Sequence, residues 1–198
     1  MIRRFIESIC LIDGVFRNLD FHRLRMEATK AAFPDIIGKI NLYDFLYHLE
    51  IPQNGKFKLR IIYSKEIERF EIIPYEIKQL NSFKLIENNT IEYPFKFEDR
   101  RVFDELKNGV DEDEIILVKN GEITDTSYSN LVFKAGTDWI TPRSFLLNGT
   151  MRQSLLELKR IREETIRIAD LKYFSVFKLI NALMDLQESP ELPVSCIR

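Results

Sequence analysis

Residues 113–142 read "DEIILVKNGEITDTSYSNLVFKAGTDWITP". Its apolar runs are broken at Asn120-Gly121 and at Gly136-Thr137, and such dipeptides supply the backbone conformation of tight turns between antiparallel strands. The stretch predicts an antiparallel meander. Directly after it, "NGTMRQSLLELKRIREE" (148–164) places Met151, Leu155 and Leu158 on one helical face, with Gly149 and Thr150 at the start of that helix. Further on, "YFSVFKLINALMDL" (173–186) reads as a mixed apolar segment that packs.

Upstream of the meander, "DRRVFDELKNG" (99–109) predicts a short helix with Asp99 as cap and Gly109 beyond its end. A strand is expected at "FKLIE" (83–87). Around residues 75–93 the pattern loosens into polar and amide-rich residues, which marks a crossing between two domains. The boundary is placed near residue 78, giving an N-terminal α+β domain over 1–78 and a C-terminal domain over 79–198.

The first domain opens with "ESICLIDGVFRNL" (7–19), in which Asp13-Gly14 separates two apolar runs and predicts a β-hairpin. In "LDFHRLRMEATKAAF" (19–33), Leu24, Ala28 and Ala31 recur at helical spacing, with Asn18 or Asp20 available as N-cap. "NLYDFLYHLE" (41–50) repeats the helical pattern with Leu42, Phe45, Leu46 and Leu49. A second hairpin follows, "KFKLRIIYS" answered by "ERFEIIPYEI" across the turn "SKEIE", Ser64 to Glu68.

Composition excludes several classes of partner. The 198 residues carry 29 Lys+Arg against 31 Asp+Glu, a net charge of −2, so neither a nucleic-acid footprint nor a membrane-binding excess is visible. The start "MIRRFIESICLIDG" lacks the apolar run and cleavage site of a signal peptide, and no segment approaches membrane-spanning length. Cys10 and Cys196 are too few for a disulfide framework and show no metal-ligand spacing. A reduced, cytoplasmic protein is expected.

Several features have both a chemical and a structural reading. Lys96 in "YPFKFEDR" (93–100) sits between two phenylalanines. A desolvated lysine becomes a nucleophile, whereas a strand lysine only lays its stem on apolar neighbours. Arg25 of "HRLR" lies one turn after His22, an ordinary surface ion-pair position. Asp125 is surrounded by Thr124, Thr126, Ser127 and Ser129, a setting typical of turns. Gly149 and Thr150 form either a plain cap or, since helix starts point N–H groups outward, an anion site.

Taken in order, "IESI…DG", "HRLR", "KFEDR", "GEITDTSYSNLVF", "TPRSFLLNGTMR" and "NALM" resemble the class-IV aminotransferases, pyridoxal 5'-phosphate (PLP) enzymes that include branched-chain and D-amino-acid transaminases and aminodeoxychorismate lyase. The likeness runs from about Phe5 to Val194, and "KFEDR", "NGTMR" and "NALM" are similar to the lyase motifs. It implies an α+β, two-domain fold of PLP fold type IV, like D-amino-acid aminotransferase. It also implies a cofactor in the interdomain cleft, a small-molecule amine substrate and a homodimer.

By the same resemblance, Lys96 binds the cofactor covalently and then serves as the base. Arg25 and the backbone N–H groups of Thr150 and Met151, beside Gly149, take the phosphate. Asp125 stands where the family carries glutamate and pairs with the pyridine nitrogen. One methylene shorter, it requires either a shifted strand or a bridging water. Asn181 and Ala182 match a loop near the cofactor. Two departures concern the substrate side. The chain opens almost at the "FE" motif, where Ile6-Glu7 stands, and "SKEIE" replaces an Arg-Gly-rich, carboxylate-binding loop, leaving Lys65 in that turn. Lyase, transaminase and a non-catalytic relative are the three functions compatible with this pattern.

Overall fold

The computed structural model describes residues 3–198. It divides into two compact units, one comprising Met1–Glu76 and Phe95–Asp99, the other Ile77–Pro94 and Arg100–Arg198. The first break falls two residues before the expected boundary. More consequential is Phe95–Asp99, expected in the second domain and found with the first. Its backbone explains why: the Ile6 N–H donates to the Lys96 carbonyl at 2.9 Å and the Glu98 N–H to the Arg4 carbonyl at 3.0 Å. The Lys96 segment is thereby stitched to the first strand.

The first unit is built on an antiparallel sheet in the order β2-β1-β3-β4, formed by β1 (Phe5–Ile12), β2 (Val15–Phe16), β3 (Lys56–Tyr63) and β4 (Ile67–Pro74). Asp13 and Gly14 both have positive φ, 46° and 74°, and close the first hairpin as expected. β1 pairs with β3 along its whole length, from Phe5 opposite Tyr63 to Ile12 opposite Lys56. Two helices, α1 (Leu19–Ala32) and α2 (Leu42–Tyr47), complete the core with Phe5, Ile9, Met26, Ile37, Leu42, Leu46, Leu59, Ile61 and Tyr63.

The buried face of α1 differs from the expected one. His22, Met26 and Thr29 are buried, whereas Leu24 is 47% exposed and Ala28 and Ala31 face solvent. Both rows have helical spacing, and the row that wins carries the histidine because a buried acceptor on β1 awaits it, as described below. Asn18 holds the N-cap position with a left-handed backbone, yet its side chain caps nothing. In α2, by contrast, Asn41 accepts the Asp44 N–H at 3.2 Å, an ordinary side-chain cap.

The second unit carries a sheet ordered β10-β9-β8-β7-β6-β5, with β11 added against β8 and β12 against β11. Its strands are β5 (Phe83–Glu87), β6 (Glu114–Lys119), β7 (Glu122–Thr126), β8 (Asn130–Ala135), β9 (Asp138–Pro142), β10 (Arg162–Glu164), β11 (Val176–Ile180) and β12 (Leu192–Pro193). β6 to β9 form the antiparallel meander read from the sequence, turning at Asn120-Gly121 (φ 53° and 76°) and at Gly136 (φ 61°). β5 runs parallel to β6, and β10 parallel to β9. The mixed apolar segment near the C-terminus supplies β11.

Helix α3 (Arg101–Lys107) buries Phe103, edge-on to Tyr93 at 4.8 Å, and its N-cap is Arg100 rather than Asp99. α4 (Thr150–Glu157) buries Met151 and Leu155 against Val132, Ile161, Ile180 and Leu186. Leu158, expected on the same face, is the C-cap and is 64% exposed.

Candidate functional site

In the first unit the chemistry gathers around a buried carboxylate. β1 is apolar except at Glu7 and Ser8, and strand alternation puts Glu7 on the same face as Phe5, Ile9 and Leu11. Glu7 has no solvent exposure. It is held by a fork from Arg25, with Nε donating to Oε1 at 2.9 Å and Nη2 to Oε2 at 2.5 Å. His22 Nδ1 lies 2.6 Å from Oε2. Arg25 and His22 are one helical turn apart on α1, and the sequence reading of a surface ion pair is replaced by a buried triad.

Electrostatics assign the protons in that triad. Burial alone would raise the Glu7 pKa, but the charge and hydrogen bond of Arg25, helped by His22, bring it down to about 2. An ionised carboxylate only accepts, so His22 Nδ1 carries the hydrogen. Burial pushes the His22 pKa down against the pull of Glu7, and the charges of Arg25 and of Lys96 push the same way. His22 is therefore neutral. Its Nε2 is buried and has no hydrogen-bond partner among the described residues.

Lys96 belongs to this neighbourhood, since its ammonium acts electrostatically on His22. The Phe97 N–H donates to the Phe95 carbonyl at 2.9 Å, a tight bend with Lys96 at its apex. Phe95 and Phe97 join Phe5 and Phe33 in an aromatic cluster whose ring centroids are 5.0–6.2 Å apart. The Arg3 guanidinium lies over Phe33 and Phe97, at 5.1 and 5.4 Å. The two phenylalanines beside the lysine thus join the aromatic packing of the first unit.

The turn "SKEIE" is pinned. Ser64 donates its hydroxyl to Glu68, Arg4 Nε donates to the other Glu68 oxygen at 2.6 Å, and the Gly38 N–H donates to the Ser64 carbonyl at 3.2 Å. A Cβ on Gly38 would lie 1.7 Å from the Lys65 carbonyl oxygen, so only glycine allows this approach. The Lys65 side chain is exposed.

In the second unit the expected residues Asp125, Gly149, Thr150 and Met151 come together, linked by Asn130. Asp125 on β7 is buried; Oδ1 accepts Asn130 Nδ2 at 2.7 Å, and Oδ2 accepts the backbone N–H groups of Leu146 and Leu147, both at 2.9 Å. The carboxylate is met by the backbone of the loop before α4. Burial pushes the Asp125 pKa up to about 6, against the opposing hydrogen bonds from Leu147, Asn130 and Leu146 and the charge of Arg152. Its hydroxyl neighbours serve the turn: Thr126 Oγ1 accepts the Ser129 N–H at 2.9 Å.

Gly149 is the N-cap of α4, where a Cβ would lie 2.1 Å from Asn130 Oδ1. Asn130 cannot swing away cheaply, because its Nδ2 also donates to the Leu147 carbonyl at 3.0 Å. Gly149→Ala should therefore lower stability by about 1–2 kcal/mol, measured by denaturant unfolding of the apoprotein; an unchanged midpoint would contradict this packing.

Thr150 is buried, and its hydroxyl has no partner among the described residues. An unpartnered hydroxyl at a helix start, where the first N–H groups lack intrahelical acceptors, suits a phosphate. Arg152, unremarked in the sequence, is also buried; it donates to Asn148 Oδ1 at 3.0 Å, the Pro142 carbonyl at 3.1 Å and Glu163 Oε1 at 2.5 Å. It braces the loop before α4 against β9 and β10. Asn181 Nδ2 donates to Ser129 Oγ at 2.9 Å and its Oδ1 accepts the Leu183 N–H at 2.8 Å, so Asn181 and Ala182 form a turn that supports the Tyr128–Asn130 bend.

An open hollow of about 640 Å³ on this unit is lined by Arg100, Phe103, Lys107, Glu114 and Tyr128 among others, and contains none of the expected cofactor residues. Arg100 of "KFEDR" is occupied there, donating to the Ser127 carbonyl at 2.5 Å and stacking over Phe103 at 4.8 Å.

The family model for amino-transferase class IV matches residues 104–189. An uncharacterised Haemophilus influenzae protein is 33% identical over 187 residues, 91% of this chain and 97% of that protein. The crystal structure of a Haemophilus somnus 129PT protein, proposed to be a 4-amino-4-deoxychorismate lyase, superposes with a TM-score of 0.84 at 30% identity, covering 93% of this chain and 98% of that one. A hypothetical aminotransferase from Mycobacterium tuberculosis, in its PLP-bound form, has the same fold: TM-score 0.76 at 16% identity, over 96% of this chain and 80% of that one. The chain belongs to the class-IV aminotransferase family, and its architecture is that of the fold-type-IV enzymes. Among the described residues no helix is long and apolar enough to cross a membrane.

Proposed function

We propose that the chain is a PLP-dependent enzyme acting on a small-molecule amine, and that its reaction is the cleavage of 4-amino-4-deoxychorismate to 4-aminobenzoate and pyruvate. The cofactor reading rests chiefly on the unpartnered Thr150 hydroxyl at the start of α4, where a phosphate supplies the missing partner. Arg25, forked onto Glu7, is read as a phosphate ligand, and Asp125 as the partner of the pyridine nitrogen. The lyase reading draws on "KFEDR", "NGTMR" and "NALM" and on the similarity to the Haemophilus somnus protein. A homodimer and a cytoplasmic setting are part of the same proposal.

PLP, when bound, withdraws the electron pair that deprotonation leaves on the substrate. Lys96 would hold the cofactor and, with its amine free, would take the proton from the amine-bearing ring carbon. The carbon–oxygen bond to the enolpyruvyl ether then breaks; the ring becomes aromatic, and the departing enolpyruvate takes up a proton to become pyruvate. The Phe5, Phe33, Phe95 and Phe97 cluster fixes the backbone on either side of the lysine. Lys65, exposed on the pinned Ser64–Glu68 turn, supplies a cation for a substrate carboxylate.

Given enzymatically generated aminodeoxychorismate, the protein should release pyruvate and 4-aminobenzoate in equal amounts without a 2-oxo acid acceptor. Lys65→Ala should raise KM more than it lowers kcat, as loss of uniform binding does. Turnover that requires an acceptor and follows ping-pong kinetics would replace the lyase by a transaminase. No turnover in either assay at full PLP occupancy would mark a non-catalytic relative.

A further inference from the structure

Glu7 is an unusual residue to bury beneath a phosphate-binding arginine, because its charge opposes that of the ligand. Three donors converge on it, Arg25 Nε, Arg25 Nη2 and His22 Nδ1. Arginine's side chain has many rotamers, and each must be frozen when a ligand binds. A bidentate carboxylate freezes them beforehand. His22 in turn fixes the carboxylate, since the ring is fully buried on α1 and its Nδ1–H is directed at Oε2.

We propose that Glu7 and His22 are positioning residues for Arg25: the fork from Glu7 presets the guanidinium for the cofactor phosphate, and the Nδ1–H of His22 holds Glu7 in the orientation that makes the fork. This rests on the reading of Arg25 as a phosphate ligand. The arrangement sacrifices part of the guanidinium's charge to gain a single geometry. Preorganisation outweighs charge here because a flexible arginine must lose its freedom on every binding event.

The test is the discrimination between PLP and pyridoxal, which differ by the phosphate, measured as the ratio of their dissociation constants for the apoprotein by absorbance titration. Arg25→Ala should reduce the ratio. Glu7→Gln offers one acceptor to three donors and should reduce it on the order of tenfold, with no further reduction in the Arg25→Ala background, because Glu7 acts through Arg25. His22→Asn, whose amide can stand in for Nδ1–H, should keep the ratio near that of the natural chain, while His22→Leu should lower it. Melting of each apoprotein identifies variants that fail to fold; if Glu7→Gln is among them, the His22 pair decides. An unchanged ratio in Arg25→Ala would overturn the phosphate reading, and the positioning role with it. A reduced ratio in Arg25→Ala with an unchanged one in Glu7→Gln or His22→Leu would overturn the positioning role alone. Equal additional losses in the double variant would show that Glu7 acts elsewhere and would overturn it as well.

Discussion

Replacing Lys96 with alanine should lower turnover at least about 10³-fold, because in the proposed function one side chain both carries the cofactor and moves the proton. Folding should survive the change. What the segment contributes to the first unit is its backbone, through the Ile6 N–H to Lys96 carbonyl bond and the Phe97 to Phe95 bend, and these do not depend on the lysine side chain. The side chain itself is half-buried, so stability should move by less than about 1 kcal/mol. Lys96→Arg should be equally inactive, since it keeps the positive charge without an unprotonated amine. Borohydride treatment of the PLP-loaded natural chain should fix the cofactor on the peptide containing "YPFKFEDR", read by mass spectrometry. Label on a different lysine, or turnover retained in Lys96→Ala, would refute the assignment.

Local chemistry was legible in the sequence wherever the backbone itself was the constraint. Asp13-Gly14 and Asn120-Gly121 need positive φ, and the turns stand where those dipeptides predict them. Choices between faces were not legible in the same way. α1 offers two rows at helical spacing, and apolarity favours the one with Leu24, Ala28 and Ala31. The row with His22 is buried instead because Glu7, fifteen residues away in sequence, supplies a charged acceptor that no periodicity reveals. A lone glutamate in the otherwise apolar run "FIESICLI" was the available signal, since a buried carboxylate demands cations nearby.

Lys96 shows the same limit at the level of domains. It follows a chain that has already entered the second unit, and backbone bonds to Ile6 and Arg4, with Phe95 and Phe97 packed on Phe33 and Phe5, return it to the first. Arg152 was missed because a helical arginine is ordinarily a solvated one. Its burial depends on Pro142, Asn148 and Glu163 meeting at one place.

Asp125→Asn should change the pH dependence of stability by on the order of 3 kcal/mol, a consequence of the carboxylate's burial. In the folded chain its pKa is raised from 3.8 to about 6. A raised folded pKa means that the native state binds a proton the unfolded chain has already released. The contribution to stability is therefore fully present below about pH 3.8 and is lost as pH rises through about 6. Glu7 works in the opposite direction in a lower window, between about 2 and 4.5, and cancels when the natural chain is compared with the variant. Unfolding of the two apoproteins between pH 4 and 7 should show the natural chain losing stability relative to Asp125→Asn as pH rises. A difference that stays flat would sink the raised pKa. In the proposed pairing of Asp125 with the pyridine nitrogen, a protonated nitrogen would reverse the penalty by giving the ionised carboxylate a charged partner. PLP should accordingly raise the melting temperature of the natural chain more at pH 7.5 than at pH 5, a contrast that Asp125→Asn should lack. The extra methylene of Asp125→Glu should not restore this behaviour in full. The carboxylate is seated against the Leu146 and Leu147 N–H groups, and a longer side chain must displace that backbone or leave those donors. Were Asp125→Glu to match the natural chain in both stability and turnover, the fit of the shorter residue to its loop would be incidental.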